Sequence, residues 1–370
     1  MSASSALEDA TAHQARAGLA LAAALRDGPS HAYLFQGPAG SGKKRIARAF
    51  AAEILVSGSP DPGETRRRAL LDPSPHPDLI WLKPVGMSHA VADVREEVIH
   101  RAPLSPFEGG HRVFVIEAAD ALNEESQNAM LKTLEEPPAH AHLILLSSEA
   151  EAVLPTVASR CQTIELEALP QAVIEAELGD IAPPERTRAA ARLSRGDLDT
   201  ARLLATGRGQ RIRENVETMM AGVIDDRLEN SPWLAVLNLA KETGDQAGER
   251  VTAELGGEVK VGIKHTKTEI EEATRRAQRR ARTGVLDLSL SLAASWARDL
   301  SAIKAGAPEL VFNTDRLETL EQQAEPIRLE AARAAVELIA DTRRRFDLNV
   351  SEELALEALC FRLATGFSPA

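Results

Sequence analysis

Tyr33-Leu-Phe-Gln-Gly37-Pro-Ala-Gly40-Ser41-Gly42-Lys43-Lys44 decides the fold of this chain. An apolar, β-leaning run enters a glycine-rich loop spaced Gly37-x-x-x-x-Gly42-Lys43, and a helical pattern follows at once over Lys43–Val56. In that strand–loop–helix context, backbone N–H groups can cradle phosphate while the lysine reaches toward it. The next residue should bring a hydroxyl to a magnesium ion; here it is Lys44, whose ammonium repels a cation.

Working outward, four more short apolar runs read as strands: Leu79-Ile-Trp-Leu82, Val113-Phe-Val-Ile116, Leu143-Ile-Leu-Leu146 and Thr163-Ile-Glu-Leu166. Helical patterns over Ala10–Arg26, Val91–Arg101 and Glu124–Glu136 alternate with them. Alternation of this kind predicts an α/β domain over residues 1–168, a mostly parallel five-stranded sheet covered on both faces. Asn123 is placed to cap the helix that Pro137-Pro138 ends. Gly58–Pro77, with Arg66-Arg67-Arg68, reads as an irregular insertion. Residues 169–209 read as a small helical unit broken at Pro183-Pro184 and Gly196, and 210–370 as helical to the end. Weak points in that last part are Gly244–Gly262, Lys304–Pro308 and Phe312-Asn313, and a loop is expected over 256–268. Leu286, Leu288, Leu290 and Leu292, next to Trp296, are candidate core.

A length of 370 residues predicts two or three domains. Aromatics are only 3% of a chain that is 44% hydrophobic, so its cores rest on Ala, Leu, Val and Ile, which favours helix. The net charge of -12 argues against a large DNA interface of its own. Cys161 and Cys360 supply neither a disulfide framework nor a four-cysteine zinc site, and fit a reducing cytoplasm. Met1 to Ala10 lacks a basic start before an apolar core, and no apolar run suffices to span a bilayer, so no membrane is expected. His140 and His142 flank one residue, but nothing nearby in sequence completes a metal site.

The strand after the loop should end in an acidic pair, one carboxylate for the metal and one to polarise the attacking water. Here the pair is Glu117-Ala118, and Ala118 polarises nothing. Asp120 lies too far along to replace it and reads as structural. The retained cradle of Gly37, Gly40, Ser41, Gly42, Lys43 and Lys44 leaves two readings open: a site that holds ATP or ADP without hydrolysing it, or a turn that no longer holds metal-bound nucleotide.

Two further segments, Asn128-Ala-Met-Leu-Lys-Thr-Leu-Glu-Glu-Pro-Pro138 and Leu154-Pro-Thr-Val-Ala-Ser-Arg-Cys161, make the chain resemble the clamp-loader branch of the AAA+ proteins. His31-Ala-Tyr-Leu-Phe-Gln-Gly-Pro38 adds to the match; Ser295-Trp-Ala-Arg-Asp-Leu300 and Asn349-Val-Ser-Glu-Glu-Leu-Ala-Leu-Glu357 are similar to that branch's collar helices. The resemblance implies a base domain over 1–168, a lid over 169–209 and an all-α collar over 210–370. It implies tau/gamma and delta subunits as partners in a pentamer, which acts on a sliding clamp and primer-template DNA in the replisome of DNA polymerase III. By position, Arg160 is similar to an arginine finger that serves a neighbour's ATP site; read without the resemblance, it would cap a helix or pair with Glu165 or Glu167. Ser147 or Ser148 falls at the first sensor position. Asp199 falls where the lid of an active subunit carries an arginine, a third defect in the chain's own site. Relatives carry four cysteines in the region matching Val56 to Asp78; this chain has none, so no zinc is expected. The expectation is a non-hydrolysing subunit with no intrinsic activity. Its rivals are an active tau/gamma-type ATPase and a purely structural collar protein.

Overall fold

The computed structural model describes residues 3–84, 89–260, 266–346 and 350–368. They form two compact units, Met1–Ile174 with Arg195–Leu198, and Glu175–Ser194 with Asp199–Ala370.

The first unit holds one five-stranded sheet: β1 Ala32–Gln36, β2 Leu79–Leu82, β3 Arg112–Ile116, β4 Ala141–Ser147 and β5 Gln162–Glu165. Its order is β2-β3-β4-β1-β5 and every pairing is parallel. β1, β3 and β4 are interior strands, which explains their unbroken apolar runs: both faces must be covered. Alternation along β1 divides them. Tyr33 and Phe35 pack with Ile46, Phe50 and Ile54 on one face. Leu34 packs on the other with Phe114, Leu143, Leu145, Met130 and Val157.

Six helices precede the last crossover: α1 Ala3–Thr11, α2 Ala15–Asp27, α3 Lys43–Val56, α4 Pro62–Ala69, α5 Val91–Val94 and α6 Glu124–Glu135. The helix expected over Ala10–Arg26 is broken at Gln14, whose side chain is drawn inward to bond Ser41 and Glu167. The segment expected to be irregular, Gly58–Pro77, contains α4. Asp61 caps it by accepting from Glu64 N at 3.1 Å, and Pro62 occupies the first turn, where a missing N–H costs nothing. Its arginines are paired: Arg66 forks onto Glu53 at 2.7 and 2.9 Å, and Arg68 reaches Glu108. After α5 the helix widens into a π turn, Arg95–Ile99. Asn123 caps α6 as expected, accepting from Ser126 N at 2.8 Å. A short α7, Pro155–Ala158, leads to Arg160.

The second unit is helical: the latter half of α8 Gln171–Leu178, α9 Pro184–Leu193, α10 Leu198–Ala205 from its second residue, α11 Gly207–Ile224, α12 Leu234–Lys260, α13 Lys267–Lys304, α14 Leu317–Ala324, α15 Leu329–Arg345 and α16 Glu352–Phe367. Leu286, Leu290, Leu292 and Trp296 are buried, and the indole of Trp296 donates to Gln323. Leu288 is half-buried. Arg213 is buried against Asp315 at 2.8 Å. The weak stretch from Gly244 does not break the helix: α12 runs on to Lys260. Gly244 and Gly248 instead let α13 approach, since a Cβ at Gly248 would fall 2.6 Å from Gln278 Cγ. The loop expected over 256–268 thus shrinks at both ends, and its centre, 261–265, lies outside the described residues. No helix among the described residues is long and apolar enough to cross a membrane.

Candidate functional site

The glycine-rich loop leaves the carboxyl end of β1, between β4 and β5 in the sheet, where open parallel sheets place their ligands. Gly37 N donates to Ser147 O at 3.3 Å, fixing the loop to the end of β4. Gly42, with φ +86°, caps α3 in the left-handed conformation that favours glycine. Gly40, with φ +75°, has a second constraint: a Cβ there would fall 1.8 Å from Asp197 Cα. The short segment Arg195–Leu198 therefore packs directly on the loop within the same compact unit.

Lys43 is 8% exposed and folded back on the loop, donating to Gly37 O at 2.5 Å and Pro38 O at 2.7 Å. Burial lowers its pKa to about 8, against the opposing charges of Asp120 and Asp197. Ser41 is 1% exposed; its carbonyl accepts from Gln14, and its hydroxyl has no partner among the described residues.

Lys44 does not point idly into solvent. Its ammonium lies 2.5 Å from Glu117 Oε1, and Trp81 Nε1 donates to Glu117 Oε2 at 3.0 Å. Burial alone would raise the Glu117 pKa; the charge and hydrogen bond of Lys44 and the Trp81 donor hold it below the ordinary value. The carboxylate and the ammonium satisfy each other where a magnesium ion would need a carboxylate and a hydroxyl. Residues of this chemistry do not fit a magnesium nucleotide. Ala118 follows in a left-handed turn, φ +53°, and offers no polar side chain.

The sensor positions are engaged locally. Ser147 is buried and its hydroxyl donates to Glu149 O at 2.8 Å. Ser148 N donates to Asp120 Oδ1 at 2.9 Å, so Asp120 tethers the end of β4, the structural task expected of it. Ser148, Gly37 and Pro38 line a cavity of about 880 Å³ that also includes His13, Arg16 and Glu165. Asp199 opens α10 in the second unit, whereas Asp197 belongs to the first. Sequence reasoning fixed on Asp199 and missed Asp197; the adjacent Gly196 was the available signal.

Arg160 lies away from the loop, just past α7. It pairs with neither Glu165 nor Glu167: Nη2 meets Glu135 Oε1 at 2.6 Å and Nη1 donates to Thr156 O at 2.8 Å. Its side chain remains about one-third exposed. Cys161 is half-buried and burial pushes its thiol up to about 11, which makes it a poor nucleophile. His140 turns to the carbonyls of Ala102 and Leu104, while His142 contacts Ser30 O and His111, so the two do not converge.

Residues 15–170 match the family described as DNA polymerase III, delta subunit. The DNA polymerase III subunit delta' of Pseudomonas aeruginosa is 38% identical over 141 residues, 36% of this chain and 42% of that protein. The subunit delta' of Bacillus subtilis is 32% identical over 164 residues, 43% of this chain and 49% of that protein. The part of the chain that carries the sheet is thus similar to DNA polymerase III delta and delta' subunits. The DNA polymerase III subunit tau of Salmonella typhimurium is 31% identical over 249 residues, 63% of this chain and 37% of that protein. The matches span less than half the length of these relatives. Similarity to both delta' and tau subunits leaves the task of separating the two to the site itself.

Proposed function

We propose that this chain is a delta-prime-type clamp-loader subunit that does not turn over ATP and lends Arg160 to the ATP site of an adjacent tau/gamma-type subunit. The observation that carries the reading is the Lys44–Glu117 ion pair. An ammonium stands where a metal would be held, and Ala118 brings nothing to polarise water. Loss of both groups removes metal clamping and nucleophile positioning together, the two main contributions in phosphoryl transfer. Arg160 supports the second half: its guanidinium is at the surface and oriented by Glu135. In trans, such a group neutralises charge on the transferring phosphoryl, worth about 10³–10⁵ in rate in comparable systems.

In this reading residues 1–168 are the base, 169–209 the lid and 210–370 the collar. The collar assembles with tau/gamma and delta subunits into a pentamer, which opens a sliding clamp and places it on primed DNA in the cytoplasm. The test is the clamp- and DNA-stimulated ATPase of a complex reconstituted with cognate tau/gamma and delta. Arg160→Ala is expected to lower the rate about tenfold or more while assembly is unchanged. An unchanged rate in an intact complex reduces the chain to a structural collar subunit.

A second reading, an active tau/gamma-type ATPase, is favoured by one observation: the match to tau extends over 63% of the chain. Turnover by the isolated chain, abolished by Lys43→Ala, would establish it.

A further inference from the structure

The site disagrees with magnesium nucleotide in a specific way: each charged part of that ligand has a counterpart in the chain. Asp197 is pressed against Gly40, with its Cγ only 2.5 Å from where a Gly40 Cβ would stand. That is closer than any side chain at position 40 would tolerate, so glycine here admits Asp197 as much as it shapes the loop. The carboxylates whose charge acts on Lys43 are Asp197 and Asp120. Asp120 is held by Ser148 N, and Asp197 is the one whose side chain lies on the loop at Gly40. On the other side of the loop Lys44 sits on Glu117.

We propose that the phosphate loop carries its own substitute ligands: the Asp197 carboxylate takes the place of a phosphate group beside Gly40 and Lys43, and the Lys44 ammonium on Glu117 takes the place of magnesium. The loop is therefore closed to nucleotide by occupancy, not by loss of its binding groups. The glycines, Lys43 and the α3 N-terminus that favour an anion are all retained. One donor is left over: the Ser41 hydroxyl is buried without a partner among the described residues. A carboxylate has two oxygens, whereas a terminal phosphoryl has three and can use such a donor. Removal of Asp197 should accordingly open the loop to a nucleoside polyphosphate. Because Lys44 already neutralises Glu117, the opened loop should take that ligand without metal.

The inference deepens the non-hydrolysing reading of the same site and is tested on the isolated full chain, independently of Arg160. Titration calorimetry with ATP and with ADP is run in EDTA and again in magnesium. Wild type should show no saturable binding at about millimolar nucleotide under either condition. Asp197→Ala should bind metal-free ATP about tenfold or more tighter, with no gain from magnesium. Adding Lys44→Thr to Asp197→Ala should make binding magnesium-dependent. If Asp197→Ala does not fold, Asp197→Asn keeps the volume and removes the charge, and should still tighten metal-free ATP by about threefold or more. Wild type that binds magnesium ATP as tightly as the variants overturns the proposal. So does a folded Asp197 variant that binds no better than wild type. Binding without turnover by wild type would sink this inference and leave the non-hydrolysing reading standing; turnover would sink both.

Discussion

Lys44 and Glu117 look, along the sequence, like two separate departures from a working nucleotide site. Folded, they are one: the ammonium that stands where a hydroxyl is expected is paired with the carboxylate at the end of β3. Nothing in either local pattern announces this, because the pairing depends on how α3 and the end of β3 are brought together over the sheet. Asp197 was hidden for the same reason, since its proximity to Gly40 is purely tertiary. Glu135 is the third such residue. Under the proposed role of Arg160, Glu135 is a positioning residue: it holds one edge of the guanidinium while Thr156 O holds another. Glu135→Gln keeps a hydrogen-bond acceptor and loses the charge. In the reconstituted complex it is expected to lower stimulated ATPase by less than Arg160→Ala does, and Glu135→Ala to fall between the two. Stability of the isolated chain should change by no more than about 1 kcal/mol, because the pair is exposed. Equal rates for wild type and Glu135→Ala would show that Arg160 needs no such support.

Elements were most legible where their ends carry their own chemistry. α3 begins at its glycine cap and α6 at Asn123, and both boundaries follow from single residues. α4 was obscured because proline and glycine around it suggest a loop, although Asp61-Pro62 is itself a helix start. The continuity of α12 was obscured because glycine inside a helix costs about 1 kcal/mol against alanine and reads as a break. Here packing overrides propensity, and the two glycines differ. At Gly248 an added Cβ meets the flexible Gln278 side chain; at Gly244 it meets Gln278 O, a backbone atom 3.0 Å away. Gly248→Ala should gain helix propensity as Gln278 rotates aside, whereas Gly244→Ala should force α12 and α13 apart. Urea unfolding should therefore find Gly248→Ala the more stable of the two by about 1 kcal/mol. The reverse order would mean that the close approach of these helices does not limit what position 244 accepts.

At the scale of the whole molecule the two compact units are expected to differ in their response to acid. Among the described residues, the histidines held below their ordinary pKa, namely His76, His89, His111 and His142, all belong to the first unit. His142 is the extreme case: burial lowers it to about 4, the Ser30 carbonyl opposes that shift, and the neighbouring histidines reinforce it. It is 2% exposed, with Nδ1 donating to Ser30 O and Nε2 left to accept from His111 Nδ1 at 3.0 Å. A histidine kept neutral in the native state binds a proton more readily when unfolded. Between about pH 6.5 and pH 4 the unfolded chain therefore holds more protons, and stability falls as the pH falls through that window. For His142 alone the loss is on the order of 3 kcal/mol by the lower end. Glu117 adds to it further down: its pKa lies below the ordinary carboxylate value, so its contribution is present above about pH 4.5 and is lost as pH falls through the native value. Calorimetric scans from pH 7 to pH 4 should thus show the transition of the first unit moving to lower temperature, with that of the second unit moving less. His142→Gln, which can still donate to Ser30 O, should flatten the descent of the first transition. Parallel descent of both transitions, or an unchanged slope in His142→Gln, would show that burial of these imidazoles does not govern the acid limit of the fold.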